Sequence, residues 1–127
     1  MRRAIPAALV AVLLIVSPVA AAKPVFQPWS VAVDPASDLH WSGFWRFDVT
    51  EGSKLKGYEY PMVLVRCDTG HVFLEHPDVD IVPSLWGGWE AFIGTSADCT
   101  AQVWAYVTLN HTGEHPISGT VSFHIDG

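Results

Sequence analysis

The chain has 127 residues, half of them hydrophobic, with 13 acidic and 7 basic side chains and a net charge of −6. So acidic a balance argues against a nucleic-acid surface, which needs clustered Lys and Arg, and so apolar a composition argues against disorder. The length suits one small domain with a single core.

Residues 1–22 read as a secretory signal peptide. Arg2 and Arg3 make a basic start, residues 7–16 an apolar centre, and Ala20-Ala21-Ala22 a small-x-small cleavage site. The apolar run is shorter than the ~20 residues that span a bilayer, and Pro6 and Pro18 bracket it. The expected mature protein is therefore a single domain over residues 23–127, secreted outside the cell or into a periplasm. No membrane contact is expected after signal removal. Losing Arg2 and Arg3 makes it more acidic still, which disfavours acidic partners.

Beyond residue 22 the dominant signal is alternation with period two. Residues 29–33 read as an edge strand after Pro28. Over residues 39–50, Leu39, Trp41, Gly43, Trp45, Phe47 and Val49 alternate with mostly polar neighbours, the pattern of a half-buried strand. Residues 62–67 are apolar and β-branched, and 71–75 are expected to pair with them. Asp68-Thr69-Gly70 between them predicts a three-residue hairpin loop with Gly in the left-handed position. Residues 89–93 read as a further strand. Ala101, Val103, Ala105, Val107 and Leu109 alternate with polar and aromatic residues, and Ile117, Gly119, Val121, Phe123 and Ile125 do so again. Breakers such as Asp34-Pro35, His76-Pro77, Gly87-Gly88 and His115-Pro116 fall between these runs. No stretch has helical periodicity.

About seven short strands predict an all-β fold, an antiparallel β-sandwich of immunoglobulin-like architecture, with a small β-barrel as the alternative. The immunoglobulin signature itself is missing, because Trp86 and Trp89 lie close to the second Cys rather than just after the first. Only two cysteines are present, Cys67 and Cys99. In an oxidising compartment they are expected to form one structural disulfide.

Chemistry has few candidates. The chain has no G-x-S-x-G elbow and no H-E-x-x-H motif. Asp78 and Asp80 offer alternate oxygens, but without the further acids of a calcium loop they read as a solvated acidic turn. Six histidines are a surplus. His111 and His115 flank one expected turn with Glu114, and His40 and His124 lie on polar strand faces. With a carboxylate such a set can hold zinc or copper, although histidines without a metal are the expected case, and no cofactor is required. Asn110-His111-Thr112 fits a glycosylation acceptor.

Aromatic residues are the other surplus: six Trp, three Tyr and six Phe, all beyond residue 22. Trp41, Trp45 and Phe47 belong to an apolar face and are expected in the core. Trp104 and Tyr106 lie opposite Val103, Ala105 and Val107, on the face the alternation marks as outward. Tyr58 and Tyr60, with Trp86-Gly87-Gly88-Trp89, read as aromatic loops. Exposed Trp and Tyr stack on sugars or anchor a protein partner. The expected function is that of a secreted, non-catalytic binding domain. It would engage an extracellular protein or polysaccharide through Trp104, Tyr106, Trp86, Trp89, Tyr58 and Tyr60. A histidine-based metal protein and a small hydrolase with a site built from distant strands are the alternatives.

Overall fold

The computed structural model describes residues 25–85, 87–107 and 114–127. The expected signal peptide, the glycosylation acceptor, Trp86 and His111 lie outside the described residues. The fold is all-β, with two sheets and one disulfide. The strands are β1 (Ser30–Asp34), β2 (Leu39–His40), β3 (Arg46–Thr50), β4 (Glu59–Cys67), β5 (Val72–Glu75), β6 (Ala97–Val107) and β7 (His115–Asp126). Five of them form a curled, half-barrel sheet in the order β2-β7-β6-β4-β5, and β1 pairs with β3 in a separate ribbon.

The long strands follow the alternation. On β6 the inward residues Ala97, Cys99, Ala101, Val103 and Ala105 are buried, and on β4 Val63, Val65 and Cys67 join them. Three of the β6 residues are alanines, and bulk comes from elsewhere in the same core: Trp45, Phe47, Trp89, Phe92 and Phe123. Small residues facing large rings let the layers interdigitate at interior density. Trp45 sits edge-on to Phe47 and to Trp89, with ring centroids 5.2 and 4.9 Å away. Its buried indole N–H has no hydrogen-bond acceptor among the described residues. The rings packed on this indole are those of Phe47, Trp89 and Phe123.

The hairpin between β4 and β5 forms as its loop residues dictate. Gly70 takes φ +93°, and its N–H donates to the Cys67 carbonyl. Cys67 and Cys99 face each other across the β4–β6 ladder and are joined by the disulfide. Asp68 and Asp98 extend that ladder one step beyond it, through Asp68 N–H to the Asp98 carbonyl at 2.8 Å.

Three expectations are corrected. The run over residues 39–50 is not one strand. It breaks at a turn where the Gly43 N–H donates to the His40 carbonyl, leaving β2 in the large sheet and β3 in the ribbon. Leu39 from β2 and Trp45 from the residue before β3 both reach the core, so the alternation keeps its phase through the turn and hides it. Trp41, on that turn, is only half-buried and stands outside the core. Second, β2 runs parallel to β7, with Leu39 opposite Ile125, so the large sheet is mixed rather than wholly antiparallel. Third, residues 89–93 are not a strand: Trp89–Phe92 is a 3₁₀ helix entered through Gly88 at φ +96°. Its three-residue period puts Trp89 and Phe92 on one side, and both are buried.

Two devices close exposed backbone. The outer edge of β3 is capped by residues 78–81: Trp45 and Ile81 exchange backbone bonds, and the Val49 N–H donates to Asp78 Oδ1 at 3.0 Å. Asp78 and Asp80 are thus structural, since Asp80 also pairs with Arg46 at 3.3 Å. Between Gln102 and Trp104 the β6–β7 register shifts. The bulge leaves the Val103 N–H without a ladder carbonyl, and the buried Ser118 hydroxyl accepts it at 2.8 Å.

Candidate binding face

With the inward side of β4, β5 and β6 committed to the core, their alternate residues form the outer face of the large sheet. The ladder places Tyr60 opposite Tyr106, Met62 opposite Trp104, and Leu64 between Gln102 on β6 and Leu74 on β5. One side of this face is therefore an apolar and aromatic band. The other, carried by β7 and the start of β6, is polar: Thr100, Thr120, Ser122 and His124. A sheet packed on the core by one face normally shows polar residues on the other, so the band is the departure.

Its parts differ in access. Leu74 is 44% and Val72 62% exposed, while Tyr60, Leu64 and Trp104 are half-buried and Met62 is buried. Tyr106, expected to be open, keeps only 9% of its surface. It lies 6.4 Å from Tyr60, centroid to centroid. Burial, and after it the charge of Glu114, pushes the Tyr106 phenol up from its usual value of 10.0, partly offset by Arg66. Tyr106 is accordingly a neutral packing residue. Tyr58, just before β4, is 59% exposed.

Trp104 is fixed in place by its neighbours. Its indole N–H donates to Gln102 Oε1 at 3.0 Å, and the Gln102 amide donates to the Ser118 carbonyl at 2.9 Å. The polar edge of the ring is consumed inside the protein, and what it offers outward is apolar surface held in one orientation.

Trp89 leaves the expected contact set. It is fully buried, stacked on Phe73 with centroids 3.9 Å apart, and donates from its indole N–H to Glu75 Oε1 at 2.7 Å. Burial raises the Glu75 carboxyl above its usual value, and the bond from Trp89 and the charge of nearby His76 only partly offset this. The flanking glycines that made Trp89 resemble a loop ligand instead let the chain dive beneath β5. A Cβ on Gly88 would stand 2.9 Å from the Phe73 ring.

Among the described residues no group of three or more His, Cys, Asp or Glu side chains could hold a metal. His115 begins β7, and its expected partner His111 is outside the described residues. His124 has both ring nitrogens engaged, Nδ1 with Asp98 at 2.7 Å and Nε2 with Asp126 at 3.1 Å. Its pKa is raised, chiefly by the hydrogen bond to Asp98; desolvation opposes this, and the charges of Asp98 and Asp126 add to the rise. Doubly bonded, the ring has no nitrogen left for a metal or for Ser122 beside it. His40 lies on β2 opposite Asp126.

Leu64, Val72 and Leu74, and with them the buried Met62 on the same side of the sheet, are not among the expected contact residues. The signal was present: residues 62–65 are apolar at every position, and an unbroken apolar run marks a strand with two apolar faces. No family model, no curated protein and no solved structure matches the chain.

Proposed function

We propose that this is an exported binding domain, a sandwich-like pair of sheets whose outer apolar band docks a protein. The observation that carries the reading is the cross-strand apolar register of Tyr60, Met62, Leu64, Leu74 and Trp104 on the side of the sheet away from the core. The disulfide and the three-part N-terminus support export to an oxidising compartment. A protein partner is favoured over a polysaccharide by the composition of the band. Aliphatic side chains outnumber open rings, and the indole N–H of Trp104 is already bonded to Gln102. A sugar site needs polar groups beside its ring, whereas a protein hot spot needs a rigid aromatic amid water-excluding neighbours.

The test immobilises the oxidised chain and exposes it to the secreted proteins and the cell-wall polysaccharides of the producing organism. Trp104→Ser and Leu64→Asn alter the band, and Ser122→Ala is the control on the polar side. Stoichiometric capture of one protein, lost with the first two and kept with the third, is the expected result. Capture indifferent to the band, or retention of glycans alone, would overturn the reading.

A further inference from the structure

The five-stranded sheet ends at β5, and among the described residues only β4 pairs with that strand. The opposite edge, at β2, is two residues long, and the outer edge of β3 is closed by residues 78–81. An open strand edge bearing apolar side chains is a template for another strand. We propose that the occupant is a second copy of this chain, joined β5 to β5 across a two-fold axis. The proposal concerns the strand edge and does not rest on the binding reading of the face, although Leu74 belongs to both.

The residues themselves supply the reason. The Cys67 N–H donates to the His71 carbonyl at 2.9 Å, which makes that pair a hydrogen-bonded position of the antiparallel ladder. Bonded positions recur every second residue, so Phe73 and Glu75 bond to β4, while Val72 and Leu74 direct their N–H and C=O groups to the open side. Two copies laid antiparallel with Phe73 opposite Phe73 then bring Val72 opposite Leu74 and Leu74 opposite Val72. All four outward backbone groups on each strand find partners.

Side chains agree with this register. Facing residues in a ladder share a face, so Val72 and Leu74, both exposed, meet on the outer side and Phe73 meets its copy on the inner. One step further out, His71 faces Glu75 in both directions. The segment His71-Val72-Phe73-Leu74-Glu75 is thus its own complement: imidazole to carboxylate, aliphatic to aliphatic, ring to ring. A shift of one residue would set apolar side chains against the wrong face. The net charge of −6 opposes association, and the contact falls below the size of stable interfaces. The dimer is therefore weak, with a dissociation constant on the order of 100 μM, and is strengthened by salt.

The full oxidised chain is examined by sedimentation equilibrium from low micromolar to millimolar concentration, beside Leu74→Lys, which sets a cation on the dyad strip. Amide exchange is read residue by residue over the same range. The expected result is a doubling of mass, lost in the variant, with Val72 and Leu74 amides gaining protection as concentration rises. The Phe73 and Glu75 amides, bonded to β4, stay protected throughout. A mass that stays monomeric at millimolar concentration overturns the proposal. So does a dimer that survives Leu74→Lys in a folded protein, or exchange at Val72 and Leu74 that ignores concentration.

Discussion

Trp89→Ala removes an indole that is fully buried, stacked on Phe73 at 3.9 Å and edge-on to Trp45 at 4.9 Å. Truncating a core aromatic to Ala costs about 3–5 kcal/mol through lost transfer energy and the cavity left behind. The bond to Glu75 adds roughly 1–2 kcal/mol, kept low because a half-buried carboxylate recovers water once its donor is gone. Together these remove about 4–7 kcal/mol from a domain whose stability is of order 5–15 kcal/mol. Trp89→Phe keeps a ring against Phe73 and loses the bond, and is expected to cost about 1.5–3 kcal/mol. Urea unfolding followed by circular dichroism measures both, with exposed Leu85→Ala as a control that stays within about 0.5 kcal/mol. A Trp89→Ala variant within about 1 kcal/mol of the parent would refute the placement of this ring in the core.

Three further outcomes follow from the same packing. Because the fold raises the Glu75 pKa, ionising that carboxyl costs stability, which returns as pH falls through the raised value toward the ordinary 4.5. Glu75→Gln, which still accepts the Trp89 bond, should melt higher than the parent at pH 7 and equally below pH 4.5; an advantage constant with pH would contradict this. For His124 the raised pKa works in the opposite sense, with stabilisation fully present below the ordinary 6.5 and lost as pH rises through the raised value. An NMR titration should place its midpoint above 6.5, and Asp98→Asn should lower that midpoint; no response to Asp98→Asn would remove the assigned cause. Replacing both Cys67 and Cys99 by Ser opens a link spanning 32 residues and should cost about 3–4 kcal/mol in chemical denaturation. A loss under about 1 kcal/mol would show that the disulfide contributes little.

The strands that sequence describes best are those whose alternation records a single environment. Along β6 as far as Ala105 and at the end of β7 every second residue enters one core, so Ala101 to Ala105 and Phe123 to Ile125 were legible, as was the Gly70 hairpin. Alternation says nothing of which sheet receives a buried side chain, which is why the turn between Leu39 and Trp45 went unseen. A four-residue run such as Trp89–Phe92 is too short for its period to separate strand from 3₁₀ helix. The role of Ser118 arises from a register shift with no local signal. Of the outer face, Trp104 was read as outward from its position in the alternation, whereas Tyr60, expected in a loop, stands on β4. Tyr106 was also read as outward, but cross-strand neighbours bury it, and pairing across strands is not written in either strand alone. Leu64, Val72 and Leu74 went unnoticed because an unbroken apolar run does not say which of its two faces meets the core.

The outer band is tested most directly by photocrosslinking in the presence of the organism's secreted proteins. A benzophenone side chain replaces Tyr60 on the apolar part of the sheet, or Ser122 on its polar part, at concentrations too low for self-association. The expected result is a covalent adduct with one partner protein from position 60, blocked by excess unmodified chain, and none from position 122. Adducts from position 122 alone, or equal and unblocked labelling from both, would contradict a binding face on β4, β5 and β6.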